Sequence, residues 1–168
     1  MLDICGFQHR MPSYRDLYRQ TLLSALPPAA MVTNLDIYCM THSVFYLTDF
    51  GSHSAPLSKR CNVATVELAE TLLLLAVLSG DMDLVAELLL AVSCLGSPPG
   101  ETSQAAWSAL VRSQLPDGAI AGPWFDPNGM SSMSPDQARK TSFEHCYHTT
   151  VAALLAWSVG AGRGEARA

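Results

Sequence analysis

Apolar positions recur along this chain with a helical period. Tyr14, Leu17, Tyr18 and Leu22 share one face between Pro12 and Ala25, and a proline suits a helix start. This predicts a first short helix, ended by Pro27-Pro28. A second helix is expected over Asn34 to Asp49, with Asn34 as N-cap, Asp36 in the first turn and Gly51 as the stop. Its stripe reads Leu35, Tyr38, Cys39, His42, Phe45, Tyr46 and Asp49. After a loop over 51–62, a third helix is expected from Val63 to Leu78, apolar on every side over Leu72 to Leu78 and so buried all round. Gly80 breaks it and Asp81 caps a fourth, Met82 to Leu95, an apolar segment that carries Glu87. So short a link predicts an antiparallel hairpin, the most buried pair in the fold.

A turn at Gly96 to Gly100 leads to a fifth helix, Thr102 to Gln114, with Ala105, Ala106, Trp107 and Leu110 inward. A long irregular segment over 115–135 follows, rich in Gly, Pro, Asp and Ser; a loop of that length in a compact domain is often functional. The last helix is expected from Phe143 to Val159, with Thr141 and Glu144 at capping-box spacing and Gly160 as its end. No segment reads as a strand. The expectation is an all-α fold of antiparallel helical hairpins, a single domain over 1–160 with a frayed tail over 161–168.

Composition narrows the class. Hydrophobic residues make up 49% of the 168 residues and charged ones 15%, which argues against disorder. The net charge of −5 is a poor match to phosphate, and the one basic cluster, Arg10, Arg15 and Arg19, is too small to reverse it, so no nucleic-acid partner is expected. The N-terminus does not read as a secretory signal, and the Leu72–Leu78 run is far short of the roughly 20 residues a membrane span needs. The cysteines at 5, 39, 61, 94 and 146 fit neither a disulfide framework nor a zinc ribbon. A cytoplasmic protein with free thiols and no membrane partner is the expectation.

Candidate chemistry centres on His42 and Asp49, seven residues apart on one helix face. His148, near the start of the last helix, is the third member of the expected catalytic set. Tyr38, Phe45 and Tyr46 beside His42, with Trp124 and Asp126 in the long loop, are the expected substrate-binding residues. His42, Asp49, His145 and His148 are metal-ligand types, but no motif fixes their spacing, and no metal is assigned. Nothing specifies a cofactor.

Two stretches resemble the repeat unit of α/α-toroid proteins, the terpene cyclases and prenyltransferase subunits: Gln114-Leu-Pro-Asp117-Gly118-Ala-Ile-Ala-Gly122, and Tyr147-His-Thr-Thr-Val-Ala-Ala-Leu-Leu-Ala156. In that unit an Asp-Gly turn follows one helix, and small residues let the next pack closely. Ala119 stands where the repeat usually carries an aromatic. The segment Thr41 to Gly51, with Tyr147 to Thr150, also resembles an uncharacterised actinobacterial family found with specialised-metabolite gene clusters. A closed toroid needs about ten to twelve helices and this chain supplies about six. The resemblance therefore implies a half-toroid, a homo-oligomer or a part of a larger complex. Two functions stay open. One is an enzyme, or diverged enzyme domain, of bacterial specialised metabolism, with a largely apolar pocket for a small apolar molecule and acid-catalysed cyclisation or hydrolysis. The other is a non-catalytic helical scaffold for a partner protein or peptide.

Overall fold

The computed structural model describes residues 11–165. Arg10, Cys5 and the last three residues of the expected tail lie outside them. Among the described residues seven α-helices run in the order α1 (Tyr14–Tyr18), α2 (Asn34–Thr48), α3 (Lys59–Ser79), α4 (Met82–Cys94), α5 (Glu101–Arg112), α6 (Pro127–Met130) and α7 (Pro135–Glu165). Among the described residues there is no strand, only an isolated bridge between Gln114 and Ile120. The fold is all-α.

α4 is the hub. It is buried from Asp83 to Val92 and packs most extensively against α7, then against α3, α2 and α5. Ala152, Ala153 and Ala156 are buried on α7, and small side chains let the two helices approach closely. The α3–α4 hairpin forms as expected: Gly80 takes the left-handed conformation at φ 74°, and the Asp81 carboxylate accepts the Leu84 N–H.

Several expectations need correcting. The first helix stops at Tyr18 because Thr21 is extended; a 3₁₀ turn, Leu22–Ala25, then buries Leu23 and leaves Leu22 at the surface. On α2 the N-cap is Thr33, in a capping box with Asp36, and Asp49 is the C-cap. Its buried face is Ile37, Met40, Thr41, Val44, Phe45, Leu47 and Thr48, while Leu35, Cys39 and Tyr46 are exposed. The buried face is turned from the expected stripe because Thr41 and Thr48 point inward. Thr48 donates to Val44 O at 2.8 Å and Thr41 to the Glu87 carboxylate of α4, so each brings a satisfied hydroxyl into the core.

α3 begins at Lys59, capped by Ser58, and is not buried all round: Leu72, Leu73 and Ala76 face the core, while Leu74, Leu75 and Leu78 face outward. α3 is long and apolar enough to cross a membrane, with a mean hydropathy of 1.7 over its most apolar window, of which 28% is buried within the molecule. On α5 Ala106 and Leu110 are buried, Trp107 is half-buried and Ala105 is exposed. The long loop contains α6, and α7 starts eight residues earlier than expected because Ser134 and Gln137 form the capping box, with Pro135 in the first turn. Gly160 does not end α7, which continues to Glu165.

Candidate functional site

Asp83 and Glu87 stand one turn apart on α4, so both carboxylates leave the same face of the most buried helix. Such groups need donors, because an unpaired buried charge is costly. α2 and α7 supply them. Tyr38 donates its phenol to Asp83 Oδ2 at 2.6 Å, and Thr149 and His148 Nδ1 both bond Asp83 Oδ1, at 2.5 and 2.9 Å. Thr41 donates to Glu87 Oε2 at 2.5 Å.

Two imidazoles roof this pair. His42 Nδ1 lies 3.5 Å from Glu87 Oε2, and His148 Nε2 lies 3.4 Å from Glu87 Oε1, so Glu87 presents one oxygen to each ring. The Glu87 side chain is 2% exposed, those of His42 and His148 42% and 48%. The carboxylates are therefore sealed beneath two solvent-facing imidazoles. His42 Nδ1 is also 2.8 Å from Tyr38 O. A carbonyl only accepts, so the proton sits on Nδ1 and Nε2 is left to exchange with whatever approaches from solvent.

The two acids titrate in opposite directions. Burial pushes Asp83 up, but the bonds from Thr149, Tyr38 and His148 and the charge of His148 outweigh it, and its carboxyl lies below the usual range. Burial also pushes Glu87 up; the Thr41 bond and the charges of His42 and His148 oppose this, Asp83 reinforces it, and Glu87 ends above its ordinary value. Tyr38 is raised by burial and by its bond to Asp83. Aromatic rings flank the imidazoles. His42 meets Phe45 at 5.5 Å and Tyr46 at 6.2 Å, and His148 meets Tyr147 edge-on at 6.4 Å, with Phe143 stacked on Tyr147.

The structure thus brings His42 and His148 together through Glu87, with Tyr38, Phe45 and Tyr46 around them. The other expected residues stand apart. Asp49 is exposed at the C-cap of α2, in the left-handed conformation at φ 45°. Asp126 caps α6, and Trp124 is 80% exposed. Among the described residues, no hydrogen bond, ion pair or ring contact joins any of these three to His42 or His148. Asp49 shares a helix face with His42, but the chain turns away at that residue. Nor do His, Cys, Asp or Glu side chains gather in threes that could hold a metal ion among the described residues.

Sequence reasoning missed Asp83 and the role of Glu87. The signal was there: two carboxylates four apart in a helix otherwise apolar from Leu84 to Val92. A helix apolar all round is buried all round, and its acids must then find donors.

The loop before α7 carries the other expected motif. Gly118, at φ 87°, turns the chain so that Leu115 N donates to Ala119 O, and Asp117 accepts the Ala119 N–H. Ile120 N then donates to Thr150 Oγ1 and Gly122 N to His145 O, which ties the loop to α7 just beside the imidazole cluster.

An all-α domain with a buried carboxylate pair under two imidazoles is the class of protein that this fold and site define. The chain belongs to the family described as Domain of unknown function (DUF6895), whose model matches residues 1–158. No curated protein and no solved structure matches it.

Proposed function

We propose that the chain is an enzyme, or a diverged enzyme domain, of bacterial specialised metabolism, acting in the cytoplasm by acid–base chemistry on a small apolar molecule. Cyclisation and hydrolysis are the two reactions that fit a proton donor of this kind. The observation that supports the reading is Glu87, buried and offering one oxygen to each of two solvent-facing imidazoles. Buried ion clusters are a weak route to stability, whereas strained titration is common where protons are moved. His42 is the acid–base group, its Nε2 free to exchange a proton with a substrate seated against Tyr46 and Phe50. Glu87 stabilises the imidazolium that forms. His148, fixed by Asp83 on one side and touching Glu87 on the other, is the positioning residue. No nucleic acid and no membrane enters this reading.

The chain would act as a half-toroid within a homo-oligomer or larger complex. The tight Asp117-Gly118 turn tied to α7 supports the repeat resemblance, and the outward apolar residues Leu74, Leu75 and Leu78 on α3 and Phe143, Val151 and Leu154 on α7 support association. Those same residues favour a second reading, a non-catalytic scaffold whose apolar helix faces bind a partner protein.

Turnover of a panel of apolar esters and isoprenoid alkenes, followed by mass spectrometry, tests the first reading. His42→Ala should lower kcat/KM by about 10²–10⁴ with unchanged helical circular dichroism. Turnover that survives His42→Ala removes the acid–base role. Turnover of no substrate by a protein that sediments as an oligomer favours the scaffold.

A further inference from the structure

A second feature lies on the other side of α4. The end of α4, the start of α5 and the second half of α7 enclose a cavity of about 610 Å³, within the range of about 300–1,000 Å³ typical of small-molecule sites. Leu89 and Val92 form its floor, Trp107, Ala156 and Trp157 one wall, and Pro98 and Pro99 the rim. On a helix with 100° between residues, Leu89 and Val92 point away from Asp83 and Glu87, so the hub separates this cavity from the imidazole cluster. We propose that it is a binding site for a neutral, largely apolar molecule carrying one hydrogen-bonding oxygen, such as a ketone, ester or hydroxyl.

Three observations carry this. First, among the described residues the lining holds no Asp, Glu, Lys, Arg or His, so a charged ligand would lose its hydration with none of them to replace it. Second, Ser103 lines the cavity, is 3% exposed, and its hydroxyl has no hydrogen-bond partner. A buried polar group left unpaired is costly, and an oxygen on a ligand would satisfy it. Third, Ser103 sits in the first turn of α5, whose N-cap is Gly100 without a side-chain cap. Among the described residues no side chain caps the first N–H groups of that helix, and the partial positive charge there favours an oxygen over a donor. The edge-on pair of Trp107 and Trp157, 5.7 Å between ring centres, gives flat apolar surface for a fused or alicyclic ring system.

The site is independent of the acid–base reading, and the experiment separates the two. Prodan, a neutral naphthalene ketone, serves as the probe, titrated into the full chain while its emission and the tryptophan quenching are followed. The expected result is saturable, blue-shifted binding of one probe per chain. Gly160→Leu should abolish it by filling the cavity; Gly160 lines the wall, and a Cβ there would have Ser93 Oγ as its nearest neighbour at 3.7 Å. Ser103→Ala should weaken it by about tenfold, the value of one hydrogen bond. His42→Ala should leave it unchanged, whatever that variant does to turnover. The proposal is overturned if Prodan fails to saturate, if Gly160→Leu binds it as the parent chain does, or if the anionic probe anilinonaphthalene sulfonate binds equally well.

Discussion

Asp83 and Glu87 are both buried on one face of α4, yet their carboxyls move in opposite directions, because Asp83 has three short bonds and Glu87 one short bond and two long contacts. That difference is testable. Asp83→Asn leaves one acceptor oxygen for the Tyr38, His148 and Thr149 donors, and should cost on the order of 2–3 kcal/mol at pH 7. A depressed carboxyl stabilises the fold above its ordinary value of 3.8 and loses that contribution as the pH falls through its lower folded value. The gap between parent and Asp83→Asn in urea unfolding should therefore shrink below about pH 4. A gap that persists at pH 2.5 would count against the network. His42 and His148 could be picked out from residue types on apolar helix faces. Their anchors could not be picked out that way, because the partnership crosses three helices, from position 42 to 87 to 148, and nothing in local periodicity links them.

At the scale of elements, existence and order were readable and face assignment was not. Strong punctuation located α4: Gly80 and Asp81 before it, Gly96 after. On α2 two threonines, Thr41 and Thr48, lie on the buried face, and on α7 two capping signals competed. Ser134-Pro135-Asp136-Gln137 starts the helix, and Thr141 with Glu144 lies within it. The Asp117-Gly118 turn forms as a tight turn, and Gly122 makes a close approach to α7 that the sequence reading did not foresee. A Cβ at Gly122 would stand 2.6 Å from His145 O and 3.1 Å from Thr149 Oγ1, and the first of these is backbone that cannot swing aside. Gly122→Ala should destabilise by about 1–3 kcal/mol, as overpacking does, and should break the Gly122 N–H bond to His145 O. Thermal melts with amide hydrogen exchange at Gly122 and Ile120 check this. Unchanged protection in the variant would mean that the loop is not held by that approach.

For the whole molecule, one hub helix separates two candidate sites. One face of α4 carries the carboxylates beneath the imidazoles, and the other floors an apolar cavity whose described lining residues hold no carboxylate, imidazole or basic group. The sequence reading expected one apolar pocket, beside His42, and did not foresee the cavity on the opposite face of α4, because residue types alone do not say which face of a helix they occupy once every face is buried. The cavity itself was not foreseeable from the pattern, since it forms where Gly96, Pro98, Pro99 and Gly160 leave volume that larger side chains would fill. The centre of the functional reading is Glu87, whose carboxyl burial raises above its ordinary value beneath the two rings. The pH dependence of the unfolding free energy of the parent chain, minus that of Glu87→Gln, tests this most directly. A carboxyl raised in the folded state stabilises fully below its ordinary value of 4.5 and loses that contribution as the pH rises through its folded value. The expected result is a difference that grows in favour of the parent chain as the pH falls from 7.5 toward 4.5. A difference that stays flat, or moves against the parent chain, over that range would contradict a buried Glu87 beneath two imidazoles.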